Sequence, residues 1–252
     1  AGIPFLHPWA NRLASPGYRA AGREVNLDPS SPLLRLDDHG ILLIHGVPWS
    51  MLVWDLTDAG QDYLVARLDW TRGDLLTVFP FRHRIEMAAK LDSGGLTIET
   101  TLIAAGDSSI PVSFGFHPYF GLAELPRAQW RLQLPAMRKL ILDGRGIPTG
   151  DEEPFGGLDV ALGELDFDDG FALLGEHESF SIAGAGRRVT VELLEGYRNA
   201  QVFGPKDKSY IALEPMTAPT SALTSGRGLR LVEAGGTFRA VFRIGIAATG
   251  SE

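Results

Sequence analysis

The strongest constraint on the fold of this chain is a period of two. From Phe79 through Phe81, His83 and Ile85 to Met87, residues that suit a buried face alternate with Pro80, Arg82, Arg84 and Glu86, which suit the opposite one. Successive side chains of a β-strand point to opposite faces, so the alternation marks a strand with one face in a core. It recurs at Leu96, Ile98, Thr100 and Leu102, at Trp130, Leu132 and Leu134, at Val189, Val191 and Leu193, and at Phe238, Ala240, Phe242, Ile244 and Ile246. Turn residues punctuate these runs at Asp92-Ser93-Gly94-Gly95, Ala105-Gly106-Asp107, Asp143-Gly144, Gly184-Ala185-Gly186 and Gly235-Gly236. Capped stretches of helical period do not exceed about ten residues, which argues against βαβ units and a dinucleotide-binding fold. A fixed repeat is also missing, which disfavours propellers and solenoids. The expected architecture is all-β, a large antiparallel β-sandwich.

The 252 residues, 44% hydrophobic and 21% charged, supply ample core for one domain spanning residues 1–252. Thirty glycines and sixteen prolines suit many short strands joined by tight turns. The segment from Ile147 to Glu164, rich in Gly, Pro and acids, is expected to be a long surface loop rather than a linker, since alternation resumes after it. A net charge of -8 repels phosphate backbones and anionic lipid, so nucleic acid and membrane surfaces are not expected partners. The absence of cysteine removes disulfides and thiolate metal sites. No apolar run approaches the roughly 20 residues of a membrane span, and the first residues do not resemble a signal peptide. A cytoplasmic protein, monomer or homodimer, is expected. The opening Ala1-Gly2-Ile3-Pro4 has no Met and reads as the middle of something.

Five places carry groups able to bind or to move protons where a sandwich would prefer apolar or turn residues. Pro8-Trp9-Ala10-Asn11-Arg12 presents an amide and a guanidinium; the latter either grips adjacent hydroxyls or pairs with a surface acid. Ile44-His45-Gly46 ends an apolar run at a glycine and is followed by Trp49 and Trp54, whose flat faces suit the C–H surface of a sugar; a structural His is the alternative. In Gly115-Phe116-His117-Pro118-Tyr119-Phe120 a proline restrains an imidazole between aromatics, leaving a proton donor or acceptor near neutral pH, or else a core His bonded to a carbonyl. Asp166, Asp168 and Asp169 precede Gly170-Phe171 and form a solvated loop, a calcium site or a binding acid. Glu214 ends the apolar run Ile211-Ala212-Leu213 before Pro215-Met216-Thr217, where burial raises a carboxyl pKa toward that of a base; a structural ion pair, with Arg12 for example, is the alternative. His7, His39, His83 and His177 show no partner pattern, and no metal-binding, nucleophile-elbow or phosphate-loop motif occurs.

In this order the five segments resemble the aldose 1-epimerase (galactose mutarotase-like) family, over some 200 residues. The Phe-His-Pro-Tyr-Phe and Glu-Pro-Met-Thr forms look like bacterial branches of the family more than like the well-studied galactose mutarotases. The resemblance implies the mutarotase supersandwich, an open cleft on one sheet, no cofactor and no metal, and a small sugar as substrate. It implies that His117 is the general acid, protonating the ring oxygen, and Glu214 the base, removing the proton of the C1 hydroxyl across the ring. The opened aldehyde turns about C1–C2 and closes to the other anomer. Arg12, His45 and Asp168 match residues that hold the sugar, with Asp169 one slip away from Asp168, and Asn11 and Tyr119 join them as substrate-binding. Family members usually begin with several strands ahead of the Asn11-Arg12 segment, so the expectation is a truncated chain or a sandwich lacking an edge. A hexose-6-phosphate or other acidic-sugar 1-epimerase, with Arg82, Arg84, Arg187 and Arg198 as available cations, and a non-catalytic carbohydrate-binding protein are the rival expectations.

Overall fold

A computed structural model describes residues 2–249; Ala1 and residues 250–252 lie outside the description. The chain is an antiparallel β-sandwich of two large sheets. One sheet runs, edge to edge, through the strands Phe5–Leu6, Gly115–Phe116, Ile211–Met216, Asn199–Gly204, Phe167–Leu173, Met137–Leu142 and Pro148–Phe155, with Tyr119–Phe120 also paired to Ile211–Met216. The other has nine strands, and its centre is built from His83–Asp92, Gly95–Ala104, Thr237–Ala248 and Arg187–Glu195. Among the described residues helix is confined to two short pieces, Gly73–Val78 and Ala222–Ser225, besides two 3-10 turns, and no helix is long and apolar enough to cross a membrane.

The alternation legible in the sequence is the inner face of the nine-stranded sheet. Ile85, Ile98, Leu102, Val191, Leu193, Phe238, Ala240, Phe242 and Ile244 are buried in one cluster with Phe116, Phe171 and Val202 of the facing sheet and with Phe114 just ahead of it. At about 25 cal/mol per Å² of apolar surface removed from water, this interdigitated layer is the main term holding the sheets together.

The expected loop between Ile147 and Glu164 is instead two strands, Pro148–Phe155 and Leu158–Ala161, each at the edge of a different sheet. Their side chains are almost all exposed, so no apolar alternation reports them; backbone pairing to Met137–Leu142 and Arg131–Leu134 makes them strands. Acidic side chains and Pro154 on such edges also discourage pairing with another chain.

His83, unpartnered in the sequence reading, meets His7 in the core, with the two Nε2 atoms 2.9 Å apart. His83 Nδ1 lies 2.7 Å from the Phe81 carbonyl, which can only accept, so that nitrogen carries the proton. A neutral His83 therefore accepts at Nε2, and His7 must donate from its own. This leaves His7 Nδ1 bare, and it has no hydrogen-bond partner among the described residues. Phe5, Trp70 and Phe79 pack around the His7 ring.

Candidate active site

Strand register places most of the site. Residues directly opposite on neighbouring strands share a face, as do residues two apart on one strand. Glu214 pairs with Gln201, which pairs with Gly170; one step along, Tyr119 pairs with Ala212, Ala212 with Phe203, and Phe203 with Asp168. His117 lies two residues before Tyr119. These positions form two rows on one sheet face, and His117, Tyr119, Asp168, Gln201, Phe203 and Glu214 all line one cavity of about 190 Å³. That is small beside the roughly 300 to 1,000 Å³ of drug-sized sites, and suits a single sugar ring. Gly170 keeps the floor compact: a Cβ there would sit 3.2 Å from both Gln201 Oε1 and Leu140 Cδ1.

The opposite wall is irregular chain laid over the sheet. Arg12 and Ile44 form an antiparallel bridge, as do Leu36 and Leu43. Asn11 and His45 both take the left-handed backbone conformation, at φ 58° and 63°. For His45 that costs on the order of 1–2 kcal/mol, opposed by a reciprocal clasp: His45 N donates to the Asn11 carbonyl at 2.9 Å, and Asn11 N donates to His45 Nδ1 at 3.1 Å. Because Nδ1 accepts, the proton of neutral His45 sits on Nε2, giving this pocket-lining ring a donor.

Arg12 is held by three groups. Its Nη2 lies 3.3 Å from Asp168 Oδ2, its Nε 3.5 Å from Asp37 Oδ2 in an ion pair without a hydrogen bond, and its Nη1 donates to Asn11 Oδ1 at 3.4 Å. The structural ion pair with Arg12, the alternative reading of Glu214, is not formed. Asp168 also accepts from Gln201 Nε2 at 2.7 Å, whereas Asp169, on the other face of the strand, pairs with Lys139 at 2.8 Å. Period two separates the neighbouring acids: Asp168 lines the cavity and Asp169 does not.

At the floor, His117 Nε2 and Glu214 Oε1 are 3.1 Å apart and both side chains are buried. The pair was expected on opposite sides of a sugar ring; in the structure the two groups touch. Burial drives the Glu214 pKa well above the usual carboxylate range, with Asp168 adding to the effect and Arg12 opposing it. Burial, with a smaller contribution from Arg35, likewise draws His117 down to about 4. Both shifts favour an uncharged pair sharing one proton over an ion pair. Glu214 Oε2 has no hydrogen-bond partner among the described residues. A buried carboxyl oxygen left so is costly unless something else satisfies it.

All seven residues singled out for the site, Asn11, Arg12, His45, His117, Tyr119, Asp168 and Glu214, line this cavity. Trp49 and Trp54 do not: Trp49 is exposed on a 3-10 turn, and Trp54 packs against Phe5. The aromatic surface comes from Tyr119, stacked on His117 with ring centres 4.4 Å apart, and from Phe203. Gln201, Phe203, Arg35 and Asp37 were not picked out from the sequence. Gln201 left a signal there, a buried amide in a strand otherwise rich in apolar residues. Among the described residues no cluster of three metal-ligating side chains occurs.

Comparison with known proteins places the chain in a family. Residues 3–245 match the family model described as aldose 1-epimerase. The chain is 25% identical over 253 aligned positions to the Escherichia coli (strain K12) protein YihR, covering 95% of this chain and 77% of that one. The fold is shared with Slr1438 from Synechocystis sp. PCC 6803, at a TM-score of 0.77 and 25% identity over 98% of this chain and 78% of that one. It is shared also with a galactose mutarotase-like protein from Clostridium acetobutylicum, at a TM-score of 0.82 and 19% identity, covering 98% and 80% of the two chains. The chain belongs to the aldose 1-epimerase family.

Proposed function

We propose that this chain, acting as one domain, interconverts the α and β anomers of a free aldose, with His117 and Glu214 as the acid–base pair. The observation that carries the reading is the buried contact between them, beside a carboxyl oxygen with no partner among the described residues, in a sugar-sized cavity. The two oxygens that must exchange protons, the ring oxygen and the C1 hydroxyl, are bonded to the same carbon, so the groups serving them must lie close together.

In the forward direction the shared proton first passes from Glu214 to His117, leaving a carboxylate beside an imidazolium; His117 then gives a proton to the ring oxygen while Glu214 takes the proton of the C1 hydroxyl. The C1–O5 bond breaks with its electron pair going to O5, and the electrons of the O1–H bond form the carbonyl. Rotation about C1–C2 presents the other face of the aldehyde, and ring closure runs the same transfers backward with the roles exchanged. Closure to the opposite anomer thus returns the shared proton. A positioned acid and base contribute about 10² to 10⁴-fold each to such a step. Arg12, His45 and Asp168, with Asn11 and Tyr119, hold the hydroxyls and the ring. The sugar's C1 hydroxyl supplies the partner that Glu214 Oε2 lacks.

The test is the rate at which freshly dissolved sugars reach anomeric equilibrium, followed by polarimetry or NMR exchange. Acceleration by the wild type and its loss in Glu214→Gln supports the proposal; a protein that speeds no aldose overturns it and leaves a non-catalytic sugar-binding cleft.

A further inference from the structure

The two carboxylates that grip Arg12 differ in standing. Asp168 faces its Nη2 at 3.3 Å with a side chain 44% exposed, whereas Asp37 faces its Nε at 3.5 Å with a side chain 3% exposed. Asn11 Oδ1 takes a third contact at Nη1, and Gly146 lies so close that a Cβ there would stand 3.1 Å from the same nitrogen. An exposed ion pair is screened by water and salt, while a buried one is screened far less. The guanidinium is therefore anchored on its Asp37 side and open to exchange on its Asp168 side.

Asp37 also closes a turn. Its Oδ1 accepts from Ile41 N at 3.0 Å and from Leu42 N at 3.3 Å, its own N–H donates to the Leu42 carbonyl, and Gly40, at φ 69°, donates to the Asp37 carbonyl. An asparagine oxygen accepts the same two side-chain bonds, so the turn does not account for the charge. A buried carboxylate costs free energy unless it is paired, and apolar groups in place of a buried pair are often as stable, so stability does not account for it either. What the charge meets is Arg12: Nε is buried and has no hydrogen-bond partner among the described residues, and Asp37 Oδ2 is the acid it faces. The same span bridges Leu36 to Leu43 and Ile44 to Arg12, so backbone and side chain of Arg12 are registered together.

We propose that Asp37 is a positioning residue for sugar binding, which sets the plane of the Arg12 guanidinium from its buried side so that the N–H groups its protein contacts do not use meet adjacent hydroxyls. The inference rests on the reading of Arg12 as a group that holds the sugar. Asp37 borders the cavity, but its carboxylate is engaged by Arg12 and the turn, and it acts through Arg12. Glu214 lies in an inner strand of the sheet and His117 between two short strands of it, so a loosened Arg12 weakens the grip on the sugar while the acid–base pair stays in place.

The test is Asp37→Asn, which keeps the oxygen the turn needs and sets an amide NH2 against Arg12 in place of an acid. The probe is whichever of glucose, galactose and mannose exchanges anomers fastest. KM is expected to rise about tenfold and kcat to stay within about twofold, and the variant should melt closer to wild type than Asp37→Ala, which loses the turn as well. Among singly deoxygenated forms of the probe, those that raise KM in wild type by removing a hydroxyl held by Arg12 should cost Asp37→Asn little. In an Arg12→Lys background Asp37→Asn should add less than about twofold, since both changes remove one interaction. If Asp37→Asn does not fold, Asp37→Glu, which displaces the charge by one methylene, carries the same comparisons. An unchanged KM, a fall in kcat at constant KM, a deoxygenation profile the same in both proteins, or effects at positions 12 and 37 that multiply overturns the inference. Wild-type exchange matched by Asp37→Asn sinks this inference and leaves the mutarotase reading standing. Calorimetric binding of the sugars without exchange, weakened about tenfold by Asp37→Asn, does the reverse. Neither binding nor exchange of any of the three sugars overturns both.

Discussion

His117 Nε2 and Glu214 Oε1 stand 3.1 Å apart in a buried contact that holds one proton between two groups, each shifted toward its uncharged form. Replacing Glu214 by Gln keeps the shape but removes the proton acceptor. Anomer exchange is expected to slow by about 10² to 10⁴-fold, with the thermal midpoint unchanged or raised, because a buried carboxyl no longer has to be kept neutral. Polarimetry with a parallel melt checks both; a variant as fast as wild type rejects the assignment.

Gln201 faces Glu214 across the strand pair and donates to Asp168, which in turn holds Arg12. Leu at position 201 fills similar space without the donor. Its expected effect is on binding, with KM up about tenfold, the worth of a hydrogen bond to a charged group, and kcat less affected. A fall in kcat at constant KM would instead make Gln201 part of the proton relay.

The His7–His83 pair predicts acid sensitivity. Burial is the larger cause of both shifts, holding His83 at about 4 and His7 well below the ordinary 6.5. As pH falls, the unfolded chain binds these protons before the folded one does. The stabilisation is whole above about 6.5 and is lost as pH drops toward 4, by up to about 1.4 kcal/mol per pH unit for each ring. Urea midpoints measured between pH 7 and 5 should fall, and His83→Phe should flatten the slope; an identical slope in that variant would reject this origin.

Gly46 tests the seat of His45. It has φ 64°, and a Cβ there would lie 2.3 Å from the His7 carbonyl oxygen. Gly46→Ala is expected to cost more than about 2 kcal/mol through backbone strain and clash together. Gly144→Ala, where a Cβ would meet nothing within 4 Å, should be near neutral. Thermal melts of the two variants decide.

The sandwich was legible because its central strands bury one face, and alternation at positions such as Phe238, Ala240 and Phe242 records that directly. Pro148–Phe155 was not legible because an edge strand with exposed side chains leaves no such record. The site residues were visible where a polar group broke an apolar context, as with His117 and Glu214. Arg35 and Asp37 were invisible because their meaning depends on the pairing of irregular chain with Arg12 and Ile44, which local pattern does not encode. His7 and His83 are 76 positions apart, and nothing in either neighbourhood announces the other.

The cavity is built from two kinds of material. Glu214, Gln201 and Asp168 are set by the pleat of a hydrogen-bonded sheet, whereas Arg35 and Asp38 ride on a span of loose chain anchored at a few bridges. Drift in that span can retune which molecule is admitted while the bond-breaking atoms stay where the ladder puts them. Descendants of such a scaffold can change diet without relearning the reaction.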